Sequence, residues 1–238
     1  MPEIPEVEAL CEALSSRTVG HRIDRVAIAE LNALKTFDPP LLSLRNCVVD
    51  DIERRGKFLV WRLVDPNGEV LHLVIHLSRA GWIRWSDSPS LTPPKPGRGP
   101  LALRLVFAAA NGDIVGGIDV TEAGTKKRLA IYVVRDPKDV PGVARLGPDP
   151  LNIDFTPQVL DQILADAGGK QIKGILRSQS VIGGIGNAYS DEILHAAHLS
   201  PFAAAGRLNP EQRKELYDSI RGVLFAAIAA PLARPRKR

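Results

Sequence analysis

The first six residues, Met1-Pro2-Glu3-Ile4-Pro5-Glu6, carry the densest chemistry in the chain. Removal of the initiator methionine, which a small second residue such as proline permits, would leave Pro2 as a free secondary amine. Such an amine ionises at roughly 8 or a little above, so part of it is neutral and nucleophilic at working pH. Condensed with a carbonyl or an opened sugar, it gives a permanently cationic iminium, an electron sink for later eliminations. Glu3 and Glu6 lie beside it: one carboxylic acid could protonate a sugar ring oxygen as general acid while the other orients the amine or shuttles its proton. The same six residues also make a good helix N-terminus, with Pro5 suited to the first turn and Glu6 and Glu8 favoured by the helix dipole.

Three further places could hold an anion. Arg54-Arg55-Gly56-Lys57 reads as a strand-turn-strand junction whose glycine turn projects cations toward a phosphate, or as an exposed hairpin with a charged tip. His76 interrupts the apolar run Leu73-Val74-Ile75-His76-Leu77, as a ligand or as a satisfied core histidine. Gly183-Gly184-Ile185-Gly186-Asn187-Ala188-Tyr189 falls between two helical patterns. Its glycines permit left-handed turns, and its amides face the start of the next helix, a natural anion site. Asn187 could equally serve only as that helix's N-cap, with Ser190 and Asp191 in the first turn.

The elements that must position these groups fall into two kinds. After a short helical start, residues 22–134 read as a succession of strands, among them Lys57 to Val64, Val70 to Leu77, Leu101 to Phe107 and Leu129 to Val134. Pro66-Asn67-Gly68 and Asn111-Gly112-Asp113 are hairpin signals, and the proline-rich segment 92–100 is too stiff for a helix. From Thr156 the period becomes helical, through Val159, Leu160, Ile163 and Leu164, then Ile172, Ile175 and Leu176, then Ile193, Leu194 and Ala197, then Leu216 to Leu224. The expected fold is α+β: an N-terminal antiparallel β-sandwich with a leading helix over 1–135, a Pro/Gly-rich linker over 136–152 and an all-α domain over 153–238.

Composition narrows the class. With 45% hydrophobic and 24% charged residues in 238, the chain is globular rather than disordered or fibrous. No stretch approaches the ~18–20 apolar residues a bilayer demands, and the acidic N-terminus is unlike a signal peptide, so a cytoplasmic protein is expected. Two cysteines, Cys11 and Cys47, provide neither a disulfide framework nor four zinc ligands. The net charge of +4 suggests an acidic partner, yet residues 205–238 hold eight Lys/Arg against three Asp/Glu, so the rest is slightly acidic.

Together these segments resemble the formamidopyrimidine-DNA glycosylase and endonuclease VIII (Fpg/Nei) family of base-excision repair enzymes. Pro2, Glu3, Pro5 and Glu6 resemble its P-E-[LG]-P-E start, and Arg55-Gly56-Lys57 its strand lysine motif. Leu146-Gly147-Pro148-Asp149-Pro150-Leu151 is similar to its interdomain L-G-P-[ED]-x-L, and residues 184–194 to G-[IL]-G-N-x-Y-x-x-E-x-L of its helix-two-turn-helix module. The resemblance implies a two-domain clamp on damaged double-stranded DNA, acting as a monomer. A flipped nucleotide exposes the sugar. Pro2 would attack C1′, Glu3 would act as acid and base around the opened sugar, and β- and δ-elimination would cut the strand without a cofactor. Lys57 joins Pro2 and Glu3 as a catalytic residue, with Glu6 in support. Lys57 and Asn187 would hold flanking phosphates, with His76, Arg79, Lys173 and Tyr189 as further DNA-binding residues.

This chain departs from the family in three places. The H-L-x-M-[ST]-G motif reads His76-Leu77-Ser78-Arg79-Ala80-Gly81, so Arg79 stands where a methionine fills the space of the flipped base. The D-x-R-x-F-G loop reads Asp119-Val120-Thr121-Glu122-Ala123-Gly124, without arginine or phenylalanine. No cysteine follows Cys47, so the family's C-terminal zinc finger is missing, and a truncated or frame-shifted product is expected, with weakened DNA binding. Leu34-Lys35-Thr36 and residues 80–85 lean toward the endonuclease VIII branch. The leading expectation is a DNA glycosylase with AP-lyase activity. The alternatives are a catalytically weak DNA-binding homologue and, from another class, an N-terminal-proline tautomerase, for which the chain is too long.

Overall fold

The structure is a computed structural model that describes residues 1–97, 99–124 and 126–230. The Arg/Pro tail from 231 onward, on which the reading of an abrupt C-terminal stop rests, lies outside the described residues. Contacts divide the chain into two units, and the division is not sequential. Met1–Pro2, Leu10–Arg54 and Phe58–Ala144 form one; Glu3–Ala9, Arg55–Lys57 and Arg145–Arg238 form the other. Two short pieces of the expected 1–135 segment thus group with the helical part, because their side chains and turns pack on it, as described below.

In the first unit the strands are β1 (Arg22–Ile28), β2 (Val48–Arg55), β3 (Phe58–Val64), β4 (Val70–His76), β5 (Gly81–Ser86), β6 (Leu101–Ala108), β7 (Ile114–Glu122) and β8 (Ala130–Val134). They form one hydrogen-bonded sheet in the order β5-β7-β6-β1-β2-β3-β4-β8. Neighbours run antiparallel, as the hairpin signals require. In the β3–β4 turn, the Asp65 carboxylate accepts from the amides of Asn67 and Glu69, and Gly68 takes φ 87°.

The sheet closes over on itself into a sandwich, and one ring contact shows it. Trp61 on β3 and Phe107 on β6 are three strand spacings apart in the hydrogen-bonded order, which is about 14 Å in a flat sheet. Their rings nevertheless stack at 5.9 Å, nearly parallel. Trp85 on β5 also stacks with Phe107, at 6.1 Å. Register shifts in the β1–β6 and β6–β7 ladders are bulges, which add the local bending that closure needs. Burial on both faces accounts for the near-continuous apolar runs of β3, β4 and β6.

The linker region begins with local structure. It forms a 3₁₀ turn over Pro137–Asp139, capped by the Asp136 carboxylate with a reciprocal bond from the Asp136 amide to Asp139, and then the one-turn helix α2 (Pro141–Ala144). A good cap and a proline at the first helical position suffice to nucleate a turn there.

The helix α1 (Ile4–Thr18) leads the chain. The second unit contains α3 (Pro157–Ala167), α4 (Ile172–Arg177), α5 (Asn187–Ala196) and α6 (Pro210–Ala229). Thr156 caps α3, and Asn209 with Gln212 makes a capping box on α6. The periodic apolar positions bury together: Leu160, Leu164, Ile172, Ile175, Leu176, Ile193, Leu194, Leu216, Ile220 and Leu224, with Ile4 among them. Among the described residues no helix is long and apolar enough to cross a membrane.

Removing the ring that joins the two faces of the sheet should be costly. Phe107→Ala is expected to lower stability by about 3–5 kcal/mol, read as a urea transition moved to lower denaturant.

Candidate active site

Glu3 is buried, with 3% of its surface exposed. Its carboxylate accepts three backbone amides: Gly186 N–H at 2.6 Å, Ala188 N–H at 3.1 Å and Tyr189 N–H at 3.2 Å. These are donors at the start of α5, which no intrahelical carbonyl can satisfy. The N-cap residue of α5 is Gly186, which has no side chain to offer, so a carboxylate from the other end of the chain takes that part. The Gly183–Tyr189 segment is therefore an anion site, as its composition suggests, but the anion on these three amides is the protein's own.

The glycines are needed for contact rather than only for turn conformation. A Cβ on Gly186 would lie 2.3 Å from Glu3 Oε1, and one on Gly184 would lie 2.3 Å from Ile4 Cγ1. Gly184 also takes φ 92°. Gly56, at φ 57°, turns the Arg55–Lys57 corner with room for no more than a hydrogen, since a Cβ would meet Leu146 Cδ2 at 2.9 Å.

Around Glu3 the other sequence-selected residues arrange themselves as follows. Glu6 accepts the Glu3 amide at 2.9 Å through one oxygen and the Tyr189 hydroxyl at 3.2 Å through the other. Burial, and then the nearby Glu6 charge, push the Tyr189 phenol well above its ordinary range, so the hydroxyl stays a donor. Lys57 is only 6% exposed. Burial holds its ammonium below the ordinary lysine range; Glu3 opposes this shift and Arg177 adds to it. Pro2, partly exposed, directly precedes Glu3.

Asn187 is exposed at the first position of α5 and is not its N-cap. Lys173 on α4 pairs with Asp191 on α5 at 2.5 Å, so its charge is already engaged. In the sheet unit, His76 is half-buried and its ring lies 4.7 Å from that of Phe58. Arg79 is exposed in the turn between β4 and β5, which closes through a Gly81 amide to Leu77 carbonyl bond of 2.9 Å. Gly81 is obligatory there, since a Cβ would lie 2.1 Å from the Leu77 carbonyl. The Ala123 amide donates to the Ala80 carbonyl, so the two segments that depart from the family pattern touch.

Two bracing side chains escape sequence reasoning. Glu122 is a buried carboxylate that accepts the amides of Arg128 and Leu129 and so ties down the chain after β7. Gln179 braces the glycine turn. Each is an ordinary polar residue in sequence, and its partners become visible only in space. Among the described residues no group of three or more His, Cys, Asp or Glu could hold a metal ion. Burial pushes the Cys47 thiol up to about 11, far from a thiolate ligand. The donor set of the family's zinc site is thus not found among these residues.

Residues 1–125 match the model of the formamidopyrimidine-DNA glycosylase N-terminal domain, and residues 146–233 that of the formamidopyrimidine-DNA glycosylase H2TH domain. The chain is 38% identical over 230 residues to formamidopyrimidine-DNA glycosylase of Symbiobacterium thermophilum, covering 96% of this chain and 70% of the relative. It is 33% identical to that of Moorella thermoacetica, over 96% of this chain and 79% of the relative. Among solved structures, it is similar to the Lactococcus lactis Fpg in complex with DNA containing an abasic site, with TM-score 0.79 and 26% identity over 95% of this chain and 78% of that one. These matches carry the formamidopyrimidine name, whereas two short segments had leaned toward endonuclease VIII.

Two substitutions test the amide cage. Glu3→Gln turns an NH₂ toward N–H donors and should cost about 1–3 kcal/mol, because buried donors lose their acceptor. Gly186→Ala should cost a similar amount. Both are read by chemical denaturation; unchanged midpoints would show that the cage contributes nothing to the fold.

Proposed function

The chain belongs to the formamidopyrimidine-DNA glycosylase family, and from that premise we propose that it is a base-excision repair glycosylase with AP-lyase activity, working on oxidised bases in double-stranded DNA. One observation carries the reading: a buried carboxylate held rigidly on three amides, directly after a proline that becomes the chain's amine once Met1 is removed.

The chemistry follows from the groups. The neutral Pro2 nitrogen forms a bond to C1′ of a flipped nucleotide as the bond from C1′ to the damaged base breaks; the nitrogen gives up its N–H proton, and the departing base takes one up. The nitrogen lone pair then expels the ring oxygen, which takes a proton from Glu3, and an iminium results. Loss of a C2′ proton to a base ejects the 3′ phosphate. A second elimination ejects the 5′ phosphate, and water releases the amine. Fixed geometry is what the cage contributes, since a catalytic group misplaced by 1 Å can cost about 100-fold. Glu6, bonded to both the Glu3 amide and Tyr189, keeps the first turn in register.

Lys57 would hold a phosphate beside the flipped sugar, with Asn187, exposed at the start of α5, beside the next. His76 and Arg79 are the sheet unit's contacts with DNA, and Lys173 would first have to give up Asp191. No zinc or other cofactor takes part in these steps.

Borohydride should trap a covalent adduct with an oligonucleotide containing an abasic site. The adduct should vanish in Pro2→Gly and in protein that retains Met1; persistence in both would refute the amine assignment. Salt-sensitive duplex binding without any adduct would leave only a DNA-binding homologue.

The depressed Lys57 ammonium sets a pH dependence. Its charge is lost at lower pH than an ordinary lysine's, so affinity for an abasic-analogue duplex should fall on going from neutral to alkaline solution. Lys57→Arg, charged throughout, should flatten that fall. Superimposable titrations of the two proteins would exclude Lys57 as a phosphate ligand.

A further inference from the structure

Gln179 lies in the first of the two turns between α4 and α5, half-buried. Its whole side chain is spent on backbone. Oε1 accepts the Gly184 N–H at 3.0 Å, and Nε2 donates to the Ile185 carbonyl at 2.7 Å and to the Arg177 carbonyl at 2.9 Å. Its own carbonyl accepts the Gly147 N–H at 2.9 Å.

One of these bonds bears on Glu3. The Ile185 carbonyl and the Gly186 N–H belong to the same planar peptide unit. Gln179 holds its oxygen at 2.7 Å, and Glu3 holds its hydrogen, with N to Oε2 at 2.6 Å. The plane is thus pinned at both ends. It needs pinning, because one of the two bonds about which it turns belongs to Gly186, which places little steric limit on backbone rotation. A bond to the carbonyl oxygen also polarises the peptide and strengthens the N–H as a donor.

We propose that Gln179 is a positioning residue for the proposed reaction: by fixing the Ile185–Gly186 peptide plane it aims the Gly186 N–H at Glu3 and thereby sets where the catalytic carboxylate stands. The assignment rests on the reading of Glu3 as the acid–base group, but the clamp can be measured without it. A side chain that serves only to fill space would be replaceable by any residue of its length. The clamp requires an acceptor toward Gly184 and a donor toward Ile185, which only an amide supplies here. Gln179→Glu keeps the acceptor and loses the donor, and it sets a carboxylate against two carbonyl oxygens. Gln179→Met keeps the length and loses both.

Two measurements decide it. In ¹H–¹⁵N spectra of the free protein, the Gly186, Ala188 and Tyr189 amides should move upfield in both variants, while resonances of α3 and α6 stay in place. In single-turnover assays, base excision should slow about 10- to 100-fold, with affinity for an abasic-analogue duplex held within about twofold, since only the reacting geometry is lost. Unmoved Gly186, Ala188 and Tyr189 resonances would overturn the clamp, whatever the activity. Excision slowed only in proportion to a loss of DNA affinity would overturn the positioning role. If the wild-type protein excises nothing and traps nothing, the glycosylase reading falls and the positioning role falls with it, while the spectra still decide the clamp. Should Gln179→Met fail to fold, Gln179→Glu carries the same readings.

Discussion

A carboxylate removed from water must be given donors, because its desolvation costs several kcal/mol that only hydrogen bonds or a cation can offset. A helix start has the converse problem, amides with no acceptor. Glu3 and α5 solve both with one contact, and the rest of the helical unit is arranged around it. Residue 186 has to be glycine because the carboxylate occupies the space of its Cβ. Residue 184 has to be glycine because Ile4, the next residue after Glu3, occupies the space of its own. The charge-dipole match at the start of α5 adds to the amide bonds.

That contact also fixes the register of α1. With Glu3 on the amides, Ile4 enters the helical core and Glu6 returns to the Glu3 amide while accepting the Tyr189 hydroxyl. Pro2 is one peptide bond away, so its freedom is limited by a residue that is itself immobilised on three sides. The first residues of a chain are ordinarily among the least ordered parts of a protein. Here the anchor comes from residues more than 180 positions later in the sequence.

The sheet contributes in a different way. Its closure depends on Phe107 stacking with both Trp61 and Trp85, and on glycines where aromatic rings pass close to backbone: a Cβ on Gly116 would meet the Trp85 ring at 2.2 Å. The same rigidity holds the β4–β5 turn that carries Arg79, through Gly81 and the Ala123 to Ala80 bond. Exposed cations on stiff turns lose less conformational entropy on binding than cations on loose loops.

Much of this was legible in the residues. Apolar, β-rich runs located β3, β4, β6 and β8 to within a residue or two, and the helical period located α3 to α6, because both patterns report directly which side chains avoid water. β7 was harder, since Gly116 and Gly117 break its apolar run for the sake of Trp85 and Pro89 nearby. The motif at the chain's start and the glycine turn at 183–186 determined by themselves which residue types were present for amine, carboxylate and anion chemistry. Only the tertiary structure decided that the two belong together: that the amides offered by the glycine turn are filled by Glu3, that Asn187 is left exposed, and that Gln179 holds the peptide between them. The physical reason is that a backbone amide has no residue type. Its partner is set by where the chain folds back, and no local pattern of side chains encodes that.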